Sequence, residues 1–120
     1  IDDAMIDAMA AVTDAAGVRA LLDEIQKRQP QAHVILMAIF PRGPKPDAMR
    51  TKLDTTNKLL AQFAARGHVT FLDIGAKFLQ PDGTITREVM GDFLHPTAKG
   101  YEIWAEAIEP LLVELMGEGK

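Results

Sequence analysis

Asp92 and His95 stand three residues apart in the stretch Asp92-Phe93-Leu94-His95-Pro96-Thr97-Ala98-Lys99-Gly100-Tyr101. A carboxylate that accepts from one imidazole N–H fixes the tautomer and leaves the other ring nitrogen free to take a proton. The pair therefore supplies two members of a nucleophile–base–orienter triad. Pro96 disfavours the α region at the residue before it, so His95 is expected in an extended segment. Thr97 is a natural N-cap for a helix that begins just after. An imidazole held on a short loop at a helix entrance is the expected arrangement. By spacing alone, a polar turn with a capping carboxylate fits as well.

The third member is missing by residue type. The chain contains no serine and no cysteine, so these residues alone cannot form the acyl-enzyme of a serine or cysteine hydrolase. Its single asparagine, Asn57, falls in a helical context and is read as solvent-facing.

The elements that must position the pair follow from apolar spacing. His33–Phe40 is a near-continuous apolar run bounded by breakers, expected as a strand buried on both faces, the parallel-sheet type. His33 at its edge is read as a solvated strand-end residue. Pro41-Arg42-Gly43-Pro44-Lys45-Pro46 must be a loop. It leaves the C-terminal end of the strand, where open α/β sheets bind ligands. Arg42 is thus a candidate contact for a polar or acidic substrate group, or a salt-bridged surface arginine. Asp47–Arg66 reads as a helix burying Met49, Leu53, Leu59, Leu60 and Phe63, with Gly67 as its C-cap. His68–Ile74 reads as a second strand, which completes one right-handed crossover.

Two helical stretches, Ile1–Val12 and Asp14–Arg28, precede this unit, either separate or continuous with one another, the second with a stripe of Val18, Leu21, Leu22 and Ile25. After it come a long connection, Ala76–Leu94, and a final helix, Thr97–Met116. That helix is expected to bury Tyr101, Trp104, Ile108, Leu111, Leu112 and Leu115 and to kink at Pro110. Gly117–Lys120 is expected to fray.

Composition narrows the function. The 120 residues carry a net charge of −4 and a sequence pI of about 5.3. No basic run supports nucleic-acid binding. No apolar run approaches membrane-spanning length, and no signal peptide is visible, which leaves the location open. No metal-ligand cluster or phosphate loop is found, so no cofactor is expected.

From Gly91 to Pro110 the chain closely resembles the last motif block of the SGNH (GDSL-type) hydrolases, in their platelet-activating-factor-acetylhydrolase-like branch. Asp92, His95, Thr97, Ala98, Lys99, Gly100, Tyr101 and Trp104 fall on that pattern. The resemblance continues through Val34–Pro44 and Val69–Phe78 and covers roughly Asp14 to Leu115. It implies the C-terminal part of a flavodoxin-like three-layer α/β/α fold, with two parallel strands and flanking helices. It also implies hydrolysis of short acyl esters, such as acetylated phospholipids or sugars, with His95 as the base and Asp92 as its orienter. The family's Gly-Asp-Ser block and the two blocks completing the oxyanion hole have no counterpart here.

Residues 1–120 are accordingly read as a single partial domain. Within it, 1–13 is an unrelated or replaced helical lead-in and 14–116 is family-like. Two classes of function follow. One is the C-terminal portion of an esterase that works with a missing N-terminal part; the other is a non-catalytic half-fold acting as a structural or dimerising module. In either, the Val34–Ile39 strand is expected to leave an open edge. A homodimer pairing those edges would cover it, as would the missing part.

Overall fold

The computed structural model describes the backbone of residues 3–116 and the side chains of residues 14–116. The order of elements is α1 (Asp3–Arg28), β1 (Val34–Met37), α2 (Ala48–Ala61), β2 (Val69–Leu72) and α3 (Ala98–Met116). Short 3-10 turns follow α2 at Gln62–Ala65 and β2 at Gly75–Phe78. The two helical stretches expected before β1 are one continuous helix. The expected fraying of Gly117–Lys120 lies outside the described residues.

β1 and β2 pair in parallel, Val34 opposite Val69 through Met37 opposite Leu72. Side chains alternate across the two faces, as the period of a strand requires. Val34, Leu36, Val69 and Phe71 pack on Leu22, Leu60 and Phe63, between the sheet and the α1–α2 layer. Met37 and Leu72 face the other way, onto Ile74, Phe78, Ile85 and Met90. Ile103, Trp104 and Ala107 of α3 close that second cluster. Phe40 bridges its aromatic part, 4.8 Å from Phe78 and 5.1 Å from Trp104 between ring centroids.

Several expectations are corrected by this packing. Both strands are four residues long and half-buried, shorter and wetter than expected. A two-stranded sheet has no inner strand, so every strand residue keeps a route to solvent. Leu21, Met49 and Tyr101 are exposed (Tyr101 at 54%), although each lies on an apolar stripe. The stripes are wider than the surface that covers them. Tyr101 stacks on Trp104 from outside, and Leu112 near the end of α3 is exposed too. Gly67 is not the residue that reverses the chain after α2. His68 takes the left-handed conformation, at φ 68°.

Asn57 is the clearest correction. Its Oδ1 accepts from the Ile39 N–H at 2.8 Å, and its Nδ2 donates to the Ile39 carbonyl at 3.1 Å. A primary amide carries one acceptor and one donor side, which here meet the N–H and the C=O of a single residue. Asn57 therefore satisfies both backbone groups of the residue where the chain leaves β1. Asn57→Ala leaves the Ile39 N–H and C=O without this partner in a part-buried place. It is expected to lower stability by about 1–3 kcal/mol in urea denaturation, with Asn57→Asp unable to rescue it because the donor is lost.

Candidate active site

The candidate residues sit on a tight hairpin between two fixed ends. Met90 is fully buried and forms an isolated antiparallel bridge with Pro96. The Thr97 N–H donates to the Val89 carbonyl at 2.8 Å. Thr97 caps α3 as expected, accepting from the Gly100 N–H at 3.2 Å while its own hydroxyl reaches Val89 O at 3.0 Å. Everything between Met90 and Pro96 must turn within five residues. Phe93 makes the reversal in the left-handed region, at φ 61°, a conformation a bulky side chain adopts only when held there.

Asp92 organises the tip. Its Oδ1 accepts from the backbone N–H of His95 at 2.7 Å and of Leu94 at 3.0 Å. Its Oδ2 accepts from His95 Nδ1 at 2.7 Å. The carboxylate is thus both the capping group of the turn and the partner of the ring. The two readings of the spacing are one arrangement. With Nδ1 engaged, Nε2 is the nitrogen left for proton transfer. The His95 side chain is 75% exposed. The pair stands on an open surface without a floor.

Three donors aimed at one carboxylate stabilise its charged form. The His95 backbone N–H, then its side chain, then the Leu94 N–H hold the Asp92 carboxyl well below its ordinary 3.8. A depressed folded-state value contributes stability that is present above the unfolded value. It is lost as pH falls through the folded one. Asp92→Asn is therefore expected to lower Tm relative to the parent chain at pH 5–7. The gap should close as the pH is taken well below 3.8. A gap that persists unchanged at the acid end would show that the carboxylate charge is not what holds the turn.

Arg42 lies on the loop after β1, partly buried, and its Nε is enclosed without a hydrogen-bond partner. Among the described residues it makes no salt bridge. Its loop touches the candidate hairpin: the Gly43 N–H donates to the Phe93 carbonyl at 2.8 Å. His33 accepts or donates to Thr70 Oγ1 at 2.7 Å at the sheet edge, away from the pair.

Arg50 is the residue sequence reasoning missed. It is 8% exposed, and its guanidinium binds the carbonyls of Arg42, Gly43 and Gly83 at 2.7, 2.9 and 2.8 Å. A signal existed. Arg50, Leu53, Asn57 and Leu60 recur at spacings of three, four and three, one face of a helix. The two polar members of that face both serve backbone groups. Below them, a hollow of about 370 Å³ at the C-terminal ends of the strands is lined by Ile39, Pro41, Asp54, Asn57, Asp73 and their neighbours, and excludes the Asp92–His95 pair. Among the described residues no cluster of His, Asp or Glu could hold a metal, and no helix is long and apolar enough to cross a membrane.

The profile of the GDSL-like Lipase/Acylhydrolase family matches residues 1–103. The platelet-activating factor acetylhydrolase IB subunit alpha2 of Rattus norvegicus is 37% identical over 105 residues, 87% of this chain and 46% of that protein. The alpha1 subunit of Homo sapiens is 35% identical over 103 residues, 85% of this chain and 45% of that protein. This chain therefore spans about half the length of these relatives. A solved structure from Streptococcus pneumonia, provisionally described as a platelet activating factor, superposes with a TM-score of 0.77. It does so at 17% identity, covering 86% of this chain and 52% of that one. The esterase domain of the ORF1 protein of the zebrafish ZfL2-1 retrotransposon superposes with a TM-score of 0.61. There the identity is 18%, with 85% of this chain and 62% of that one covered. The two parallel strands with flanking helices are thus part of an α/β fold of the SGNH-hydrolase kind.

Proposed function

The chain belongs to the GDSL-like Lipase/Acylhydrolase family, and from that premise we propose that it supplies the acid–base half of an acyl-ester hydrolase. The observation that carries this reading is the 2.7 Å contact between His95 Nδ1 and Asp92 Oδ2 on an exposed loop. His95 Nε2 takes the proton of a serine hydroxyl lying outside these 120 residues as that oxygen attacks the ester carbonyl. The proton then goes to the departing alkoxide, which leaves as alcohol. A water, deprotonated by the same nitrogen, attacks the acyl-serine, and that proton passes to the serine oxygen as its bond to the acyl carbon breaks and the carboxylic acid leaves. Asp92 keeps the ring in the required tautomer and stabilises the imidazolium.

The substrate class in this reading is a short acyl ester, with acetylated phospholipids or sugars as examples. Arg42 is the proposed contact for a polar or acidic substrate group. Residues 1–120 are one partial domain of the complete fold, and the family profile takes in its helical lead-in, residues 1–13, as well. The test is complementation. This chain is mixed or co-expressed with a polypeptide carrying a family Gly-Asp-Ser block, and acetyl-ester hydrolysis is followed. Activity that needs both pieces and is lost in His95→Ala supports the reading. Activity indifferent to His95 overturns it.

A second reading, a dimerising or structural module, is favoured by one observation. Among the described residues β1 pairs only with β2. Its other edge is a template for strand pairing, and two copies could join there across a two-fold axis. Sedimentation of the purified chain at micromolar concentration separates the two: a dimer supports the module, a monomer that dimerises with nothing but its complementing piece supports the enzyme.

A further inference from the structure

We infer that Arg50 is a positioning residue for the Asp92–His95 pair, acting through the Arg42–Gly43 loop. The inference rests on the acid–base reading of that pair. Arg50 stands in the first turn of α2, where Asp47 Oδ1 accepts its backbone N–H at 3.0 Å. Its guanidinium meets no carboxylate among the described residues. Instead three of its nitrogens donate to three carbonyls: Nε to Arg42, Nη2 to Gly43, Nη1 to Gly83. A guanidinium presents its donors in one rigid plane. Carbonyls that converge on it are fixed in direction as well as distance.

Gly43 is the relay. Its carbonyl is held by Arg50 at 2.9 Å, and its own N–H holds the Phe93 carbonyl at 2.8 Å. Its φ of 85° places these two groups in a conformation that side chains other than glycine's rarely adopt. Phe93 is the residue between Asp92 and the N–H groups that Asp92 caps. It sits at φ 61°, a conformation that relaxes when its carbonyl is released. If the turn relaxes, Leu94 and His95 no longer aim their N–H groups at Asp92, and the ring loses its partner.

A second strut joins the same node. Arg50 binds Gly83 O, and the Ile85 N–H binds Pro44 O at 3.1 Å. The turn around Gly83 and the loop after β1 are therefore locked together around one side chain.

A purely structural arginine would lower stability and leave the pair's geometry intact once folded. The test uses this chain alone, so it succeeds or fails independently of whether ester hydrolysis is reconstituted. Arg50→Lys keeps the charge and loses the planar fork. Leu60→Ala, in the opposite core cluster, serves as a variant destabilised elsewhere. The readouts are the carboxyl-carbon titration of Asp92 and the ring-nitrogen signals of His95 by NMR. In folded Arg50→Lys the Asp92 titration is expected to move upward by about one pH unit, a tenfold change in the protonation equilibrium. The His95 Nδ1–H signal is expected to broaden or vanish. Leu60→Ala should leave both unmoved. An Asp92 titration identical to the parent in folded Arg50→Lys overturns the proposal, as does an equal movement in both variants. If Arg50→Lys does not fold, hydrogen exchange of the parent chain decides. Slow exchange at the Gly43 amide supports the relay, and exchange at the rate of a free loop overturns it.

Discussion

Incubated alone with a nitrophenyl acetate, the 120-residue chain is expected to show no burst and no acylated species by mass spectrometry. A hydrolase of this type forms its acyl-enzyme on a hydroxyl or thiol activated by the base. The chain has no serine and no cysteine. The nearest hydroxyl to the pair in sequence, Thr97, is already committed. Its hydroxyl faces the Glu88 and Val89 carbonyls as donor and accepts from the Gly100 N–H as the helix cap. Using it as a nucleophile would undo the cap that sets the hairpin. What remains is general-base assistance to water by an exposed imidazole, without preorganised donors for the oxyanion. Loss of the nucleophile alone costs about 10⁶-fold in kcat in a serine hydrolase. Turnover should therefore fall by that order against a complete family enzyme, and the residue of it should disappear in His95→Ala. A burst located on Thr97 or another hydroxyl would sink this expectation.

A second large effect is expected at Gly100, in a test of stability rather than chemistry. A Cβ there would lie 2.5 Å from the Val89 carbonyl oxygen and 2.8 Å from Pro96 Cβ. Neither neighbour is a flexible side-chain end. One is backbone that also accepts the Thr97 N–H, and the other is a ring in the bridge with Met90. α3 would have to move off the hairpin that carries the pair. Overpacking of this kind costs about 1–3 kcal/mol, which for a chain of this size is a Tm loss of about 5–10 °C. Gly17→Ala is the matched control. Nothing lies within 4 Å of its added Cβ, and mid-helix glycine is worse than alanine by about 0.5–1 kcal/mol. Thermal melts of the two variants should shift in opposite directions. A Gly100→Ala chain as stable as the parent would mean that α3 does not seat on Val89 as described.

What the sequence determined about this protein is what can be decided within a few residues or by the presence of an atom type. The Asp92–His95 contact was legible because it closes over three residues, with Pro96 excluding the helical alternative and Thr97 starting the helix behind it. The strand–helix–strand order was legible because apolar period and breakers are local signals. The absence of serine and cysteine from these 120 residues was legible from composition alone. Tertiary structure decided what depends on distant partners. Asn57 reads as a solvent-facing helical residue until Ile39, 18 residues earlier, is placed beside it. Arg50 carries no local signal of its role beyond its place on a helix face; the role depends on carbonyls from both sides of it, one 33 residues away, converging on its plane. The choice of Trp104 over Tyr101 for the interior depended on which face of α3 met Phe40. The choice of His68 over Gly67 for the left-handed turn went against local steric preference. Such choices are made by the sum of contacts that a segment gains elsewhere, and no single stretch of sequence carries that sum.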